Sequence, residues 1–305
     1  MTAIIDYRQA YFAAPNWENE GRHQLAYLDW GNPDNDNVIV CVHGLTRNAH
    51  DFDYLARALA ADYRVIALDM AGRGKSDAIA DSSLYNYVNY MQDCMAFMDN
   101  FHLRKVDWIG TSMGGIIGMM IAAFNPARIK RLVLNDIGAF IPKAAMKRIV
   151  DYVSATPESF ASRTEAEAHV QRVLQSFGIT NPEHWQHFYT HSITQHVDGH
   201  FTLAYDPHIL DPVRTETNNF EKIEDIDLSA IWEAVKTPTL ILRGELSDVL
   251  ERETVSAMRA KHLKCFSEEI KGVGHAPTLM DDNQIAIIQR WLATTKQASF
   301  APKIA

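Results

Sequence analysis

Apolar residues follow two different periods along the chain between about residues 20 and 138. Short apolar runs, such as NVIVCVHG at 37–44 and RVIALDM at 64–70, are typical of buried strands. Between them lie stretches such as FDYLARALA (52–60), where apolar residues recur at helical spacing. Strands that alternate with helices predict a mostly parallel, twisted sheet with helices on both faces. The same patterns predict further strands at 23–31, 106–110 and 131–136 and further helices at 85–101 and 113–124.

This alternation stops at about residue 139 and resumes near residue 227. Hardly a strand is predicted in between, where helical stretches such as KAAMKRIVDYV and TEAEAHVQRVLQSFG dominate. The alternation then continues with strand PTLILRG, a helix, strand LKCFSEEIKG and a last helix. We therefore predict an α/β core in two parts, 1–138 and 227–305, interrupted by a helical cap or lid at 139–226.

One serine lies in a glycine-rich turn between a predicted strand and a predicted helix, in the stretch VDWIGTSMGGIIGMM (106–120). The turn has the pattern G-x-S-x-G, in which a sharp strand-to-helix bend exposes the serine hydroxyl. Residues two before and two after the serine must be small, which accounts for Gly110 and Gly114. The pattern predicts Ser112 as a nucleophile; the alternative is a serine that caps an ordinary helix.

A serine hydroxyl needs a base to act as a nucleophile, and two later strand ends supply candidates. The loop VGHAP (273–277) places His275 before the last predicted helix. The loop RGELSDVL (243–250) places Asp248 after a predicted strand, where it would otherwise serve as a helix N-cap. The chain order Ser112, Asp248, His275 fits a triad built on this type of turn.

Five motifs occur in order, each at the carboxyl end of a predicted strand: HGLT, DMAGRGKSD, GTSMGG, LILRGELSD and GVGHAP. Together they resemble those of the α/β-hydrolase family, over residues 20–138 and 228–295. The resemblance implies the α/β-hydrolase fold, a serine triad and a lid at the position of the helical insertion. It also implies two backbone donors for the oxyanion of the reaction, the amides of Leu45 and Met113. His43 and Gly44 would then shape the loop that carries Leu45.

Two further charged residues have more than one possible role. Asp136 ends the predicted strand 131–136, and because some relatives take the triad acid from that strand end, it is the alternative to Asp248. Arg47 lies three residues beyond Gly44 and either contacts a substrate carboxylate or fastens its loop to the core. Of these two roles for Arg47, we favour fastening.

Two other patterns suggest ligand sites at first sight. The stretch AGRGKS (71–76) looks like half a phosphate-binding loop, but the first glycine of that motif is replaced by Asp69. His184, His187 and His191 lie on one face of a predicted helix in the insertion. A metal ion would need further ligands, and no acid or cysteine partner is marked, so we expect a solvated or cavity-lining face. We expect no metal and no cofactor.

The reaction expected from these residues is acyl transfer to water, in which a serine esterase cleaves small to medium, largely apolar carboxylic esters. Alternatives that keep the serine are enol-lactone or carbon–carbon bond hydrolysis, cofactor-free perhydrolysis and acyl transfer to another acceptor. Relatives that cleave carbon–carbon bonds commonly have an aromatic residue after the histidine, where this chain has Ala276. A non-catalytic receptor of the same fold is a further alternative, although all three triad residue types are present.

The composition of the chain limits the kinds of partner that it is expected to bind. The chain has 305 residues and a formal net charge of −9, which argues against binding to a nucleic-acid backbone. Its three cysteines are far apart, so free buried thiols are expected. No secretory signal and no apolar run of about 18 residues is apparent. We therefore expect a cytoplasmic monomer or homodimer that acts on a small ester or lactone and does not bind a membrane.

Overall fold

A single eight-stranded sheet forms the centre of the protein in the computed structural model, which describes residues 7–17, 21–212 and 223–294. With strands numbered in chain order, the sheet order is β1-β2-β4-β3-β5-β6-β11-β12. The bounds are β1 (Tyr7–Pro15), β2 (Arg22–Trp30), β3 (Val38–Val42), β4 (Arg64–Leu68), β5 (Val106–Thr111), β6 (Ile129–Asn135), β11 (Thr239–Gly244) and β12 (Cys265–Ile270). Within this sheet, the neighbouring strands β4, β3, β5, β6, β11 and β12 pair in parallel, whereas β1 and β2 run antiparallel to their neighbours. The predicted mostly parallel sheet is thereby confirmed.

Strand β1 was not predicted from the sequence. It pairs with β2 over nine residues at the edge of the sheet. Much of the strand is exposed, so its sequence YRQAYFAAP lacks the continuous apolar run that marks the buried strands.

Helices cover both faces of the sheet. Successive side chains of a strand point to opposite faces, so each buried strand contributes apolar side chains to a hydrophobic cluster on either face. Val40 and Val42 of β3 belong to one hydrophobic cluster, whereas Ile39 and Cys41 belong to the cluster on the other face. The core helices are α1 (Asp53–Leu59), α2 (Tyr87–Asn100), α3 (Met113–Phe124), α7 (Ser229–Ala234), α8 (Arg252–Lys261) and α9 (Asp282–Thr294). Cys41, Cys94 and Cys265 are buried free thiols. Within the described ranges, no helix is both long enough and apolar enough to cross a bilayer.

The insertion segment, residues 139–226, contains the helices α4 (Lys143–Ser154), α5 (Arg163–Val173) and α6 (Pro182–Ser192). It also contains a small hairpin of β8 (Ile193–Gln195) and β9 (Phe201–Leu203), which the helical periodicity did not predict. A two-residue antiparallel pair, β7 (Phe140–Ile141) and β10 (Ile226–Asp227), brings the beginning and the end of the segment side by side. The segment therefore leaves the core and rejoins it at one place.

A buried ion pair fastens the sheet to the last helix. The Arg131 guanidinium donates to the Asp107 carboxylate on the neighbouring strand, with 2.6 Å between Nε and Oδ1. Its Nη1 donates to the backbone carbonyl of Leu292 in α9. Both charged side chains are only 3% exposed. Loss of one partner would leave the other charge buried without compensation, which is strongly destabilising.

We therefore expect Asp107→Ala to lower the free energy of unfolding by about 3–5 kcal/mol. The matched control is Asp99→Ala, which removes the exposed partner of Arg128 and should cost about 0–1 kcal/mol. Urea unfolding followed by circular dichroism measures both values. Equal losses in the two variants would contradict the structural importance assigned to the buried pair.

Candidate active site

Ser112 occupies a strained turn between β5 and α3. Its backbone has φ +49° and ψ −112°, a conformation that non-glycine residues rarely adopt. Such strain persists only where the surrounding structure enforces it, and it is concentrated at functional sites. The turn places the hydroxyl at the carboxyl end of the sheet, as the G-x-S-x-G pattern predicts.

The two glycines of the pattern allow the close contacts that hold this turn. A Cβ atom at Gly114 would lie 2.0 Å from the backbone oxygen of Val42, and one at Gly110 would lie 2.2 Å from the oxygen of Gly114. Both contacts are with backbone atoms, which cannot move aside as a flexible side chain could. Only glycine therefore allows α3 to approach the sheet this closely.

A chain of hydrogen bonds connects Ser112 to a buried carboxylate through His275. The Nε2 atom of His275 lies 3.0 Å from the Ser112 hydroxyl oxygen. The Nδ1 atom lies 2.8 Å from Oδ2 of Asp136. His275 side-chain exposure is 12% and that of Asp136 is 0%. This geometry lets the imidazole take a proton from the hydroxyl while the carboxylate holds the ring and balances its charge.

Asp136 directly follows β6 and has a positive φ of 54°. In addition to His275, its carboxylate accepts hydrogen bonds from the Gly244 amide, at 2.7 Å, and from the Ser247 hydroxyl. These donors compensate the loss of hydration that burial imposes on a carboxylate. The carboxylate of Asp136 is therefore held by hydrogen bonds in an orientation that faces the histidine.

Asp248, the acid favoured from the sequence, does not contact His275, and this expectation is wrong in the structure. Its side chain is 47% exposed and forms an ion pair with Arg148 of helix α4. The neighbouring residue of the same loop, Ser247, is the one that turns inward, to donate to Asp136. The alternative acid, Asp136, takes the position beside the histidine.

Two backbone amides point to an oxyanion site beside Ser112. Within the described part of the chain, the amides of Leu45 and Met113 donate to no protein acceptor, whereas the next amide, that of Gly114, donates to the carbonyl of His43. Gly44 lies against Ser112, because a Cβ atom there would be 3.7 Å from the serine Cβ. The free amides suit the role expected of them.

His43 is buried beneath this loop and acts as a structural residue. Its Nδ1 lies 2.7 Å from the carbonyl oxygen of Gly44, and its Nε2 accepts from the Met70 amide at 3.0 Å. Burial lowers the pKa of His43 to about 3, so the ring is neutral at physiological pH. These contacts agree with the prediction that His43 shapes the loop.

A pocket opens above Ser112 between the core and the insertion segment. Its walls include Leu45 and Phe52 from the core and the side chains of His275 and Thr278. The insertion segment contributes Ile149, Tyr152, Val173, Leu174, Phe177 and Phe188. Two arginines, Arg47 and Arg148, also line the pocket. The site therefore combines a hydrophobic wall with two arginines, each of which is paired with an aspartate, Asp51 or Asp248.

Comparisons with known proteins agree with this arrangement. The sequence profile of the α/β hydrolase fold matches residues 37–281. The chain belongs to the α/β-hydrolase family. A 3-hydroxybutyrate-oligomer hydrolase of Cupriavidus necator is 41% identical over 270 residues, which cover 88% of this chain and 92% of that protein. This α/β hydrolase is therefore similar to an enzyme named for the hydrolysis of 3-hydroxybutyrate oligomers.

Two solved structures resemble this α/β hydrolase over nearly its whole length. A protein described as a putative hydrolase from Rickettsia typhi has a TM-score of 0.85 at 34% identity, covering 95% of this chain and 99% of its own. An alpha/beta hydrolase from Novosphingobium aromaticivorans has a TM-score of 0.83 at 30% identity, with the same coverage. They confirm the fold predicted from the five motifs.

Arg73 is a residue of the site that sequence reasoning missed. Its side chain is 1% exposed, and its Nε donates to the Leu45 carbonyl at 2.9 Å. Its Nη1 donates to the hydroxyl of Tyr90 at 2.7 Å, and Nη2 contacts the sulfur of Met113. The guanidinium thus contacts both residues that carry the candidate oxyanion amides, Leu45 and Met113. The signal available in the sequence was an arginine between two glycines, Gly72 and Gly74.

The other residues of the AGRGKS stretch form a turn and not a phosphate site. Gly72 and Gly74 both have positive φ, at 79° and 58°. The carboxylate of Asp69 accepts from the amides of Ala49 and Lys75, at 2.7 and 2.8 Å. Burial raises the pKa of Asp69 to about 6. An acid occupies the place where a phosphate would be held.

Arg47 fastens its loop to the insertion segment, whereas the sequence favoured a contact between this loop and the core. Its guanidinium donates to both carboxylate oxygens of Asp51 and, at 2.6 Å, to the hydroxyl of Ser192 in the insertion segment. It also lies over the ring of Phe188, 4.6 Å from the centroid. With these partners, Arg47 is committed to the contact between the loop and α6.

The three histidines of α6 pack against the core and not against the pocket. His184 and His187 make edge contacts with Tyr54 of α1, and His191 stacks on His50 with 3.7 Å between the ring centroids. Burial, with a smaller effect of His50, lowers the pKa of His191 to about 3. The histidine face is thus a contact between the insertion segment and the core, which differs from the expected solvated or cavity-lining face.

The reactivity of Ser112 distinguishes Asp136 from Asp248 as the acid that supports His275. We expect Asp136→Asn to slow labelling of Ser112 by a fluorophosphonate on the order of 10³–10⁴-fold, because the carboxylate no longer stabilises the imidazolium. Asp248→Asn should change the rate by less than about twofold, because Asp248 lies outside the hydrogen-bonded chain. The measurement is the second-order labelling rate, with thermal unfolding as the check on folding. A larger effect of Asp248→Asn would restore the original assignment.

Proposed function

We propose that this α/β hydrolase is a serine esterase that cleaves short hydroxyacid esters, with 3-hydroxybutyrate oligomers as the substrate class. The observation that carries the proposal is the hydrogen-bonded chain from Ser112 through His275 to Asp136. The similarity to the Cupriavidus necator 3-hydroxybutyrate-oligomer hydrolase supports the substrate class.

In the proposed cycle, the Ser112 oxygen attacks the ester carbonyl while His275 Nε2 takes the hydroxyl proton. Asp136 stabilises the resulting imidazolium through Nδ1. The tetrahedral intermediate collapses, the alcohol leaves with the proton from His275, and an acyl-serine remains. Water then attacks the acyl-serine with His275 again as base, which releases the acid and restores the serine.

The amides of Leu45 and Met113 would hold the negative oxygen of each tetrahedral intermediate. Each preorganised donor of this kind contributes about 3 kcal/mol to transition-state stabilisation. Arg73 is a positioning residue in this scheme, because its bond to the Leu45 carbonyl fixes the orientation of the loop.

The charges around the pocket fit an oligomer that ends in a carboxylate. The protein carries a formal net charge of −9, so an anionic substrate needs local positive charge at the site. Arg47 is neutralised by Asp51, whereas the partner of Arg148, Asp248, is half exposed. A surface ion pair of this kind contributes little, so a substrate carboxylate can replace Asp248. We assign Arg148 to the free carboxylate of the oligomer.

The central test is hydrolysis of the 3-hydroxybutyrate dimer and trimer, followed by chromatography of the released monomer. Wild-type protein should cleave both, and Ser112→Ala should lower the rate on the order of 10⁵-fold or more. The uncharged ester p-nitrophenyl butyrate serves as the reference substrate. Cleavage of the reference without the oligomers would overturn the substrate class, and full activity of Ser112→Ala would overturn the nucleophile.

The role of Arg148 predicts a substrate-dependent effect. Arg148→Gln should raise KM for the trimer about tenfold, because the substrate loses roughly one charge-assisted hydrogen bond. The kinetics on p-nitrophenyl butyrate should stay within about twofold of those of the wild type. The control is Lys147→Gln, which removes an equally positive and exposed side chain from the same helix. A similar KM change in both variants would mean that net charge, and not a contact of Arg148, is responsible.

A further inference from the structure

A cluster of metal-binding side chain types lies away from Ser112, where the insertion segment meets the core. His50 belongs to a short 3₁₀ turn, Ala49–Phe52, and Asp53 begins helix α1. His191 lies in the last turn of α6. One donor atom from each of the three lies within 4.8 Å of the other two. The cluster therefore joins two residues of the core to one residue of the insertion segment.

The contacts within the cluster are close and mostly buried. His50 Nδ1 is 2.8 Å from Oδ2 of Asp53, and the His50 and His191 rings are stacked. His187 lies at the edge of the cluster, with its Nε2 3.7 Å from Oδ2 of Asp53 and 2.8 Å from the carbonyl oxygen of His50. These positions give two imidazoles and one carboxylate, with a third imidazole beside them.

The second oxygen of the carboxylate is left without a partner. Oδ1 of Asp53 is buried and accepts no hydrogen bond from any residue in the described part of the chain. The Asp53 side chain as a whole is 6% exposed. An unsatisfied buried polar atom is costly, and protein structures rarely retain one without a reason. A bound cation would supply the missing interaction.

We propose that His50, Asp53 and His191 bind a divalent transition-metal ion, with zinc as the best match to the donor set. Two histidine nitrogens and one carboxylate oxygen are common zinc ligands, with bonds of about 2.0–2.2 Å. Tetrahedral binding at those bond lengths brings the donor atoms to about 3.4 Å from one another. For an ion to bind, the two imidazoles would rotate out of their stacked arrangement so that one nitrogen of each approaches the Asp53 carboxylate.

The position of the ion defines its role as a fastening between α6 and the core. Helix α6 also carries Phe188, which lines the pocket, and Ser192, which accepts from Arg47. A metal ion at His191 therefore holds one wall of the pocket in place and takes no part in the reaction at Ser112. This site is independent of the substrate class proposed above.

The test uses protein expressed without a histidine tag, stripped with a chelator and titrated with Zn²⁺ by calorimetry. We expect one strong site per chain and a rise in the unfolding temperature of about 5 °C when zinc is in large excess over its Kd. Cobalt substitution should give the visible absorption of a tetrahedral ion. Asp53→Asn and His191→Gln should each weaken zinc binding on the order of 100-fold.

The control variant is His196→Asn combined with His200→Asn. These two histidines are also stacked, with an aspartate, Asp198, beside them, but the His200 and Asp198 side chains are exposed on the insertion segment alone. The control should keep the strong site and the temperature shift. The proposal would be overturned if the control lost zinc binding while His191→Gln kept it. It would also be overturned if the stripped protein neither bound zinc nor became more stable in its presence. If Asp53→Asn does not fold, His191→Gln still decides between these outcomes.

Discussion

The carboxylate of Asp136 is the constraint on which the site depends, because a fully buried polar group is tolerated only if it is hydrogen-bonded. Its donors come from two separate parts of the chain: the loop after β11, with the Gly244 amide and the Ser247 hydroxyl, and the loop that carries His275 before the last helix. Satisfying this one group therefore fixes two loops relative to the end of β6. The position of His275 beside Ser112 follows from that arrangement.

The nucleophile and the base could be predicted from sequence because each depends on local chemistry. Ser112 needs small residues at fixed offsets, and His275 lies in a short loop after a strand. The acid could not be decided in the same way, since Asp136 and Asp248 both follow buried strands. What separates them is which side chain of the loop 244–250 turns inward, and that side chain belongs to Ser247. The positive φ of Asp136 is equally invisible in a hydrophobic pattern.

At the level of the fold, the buried strands and long helices were predictable because continuous apolar runs and helical spacing reflect burial on both faces of the sheet. Elements that are stabilised mainly by pairing with a neighbouring element could not be predicted in this way. Strand β1 is stabilised by its nine-residue ladder with β2, and its own residues are largely exposed. The same holds for the contact of His191 with His50, residues 141 positions apart in the chain, which periodicity along one helix cannot reveal.

The pairing of β7 with β10 has a consequence for how such a protein can change over evolutionary time. Because the two ends of the intervening chain leave and re-enter the core side by side, residues can be added, deleted or exchanged between them without shifting the register of the eight-stranded sheet. Much of the apolar wall above Ser112 comes from that stretch, whereas the three groups of the hydrogen-bonded chain lie in turns and loops that follow strands of the sheet. Substrate preference can therefore change during evolution while Ser112, His275 and Asp136 stay in place.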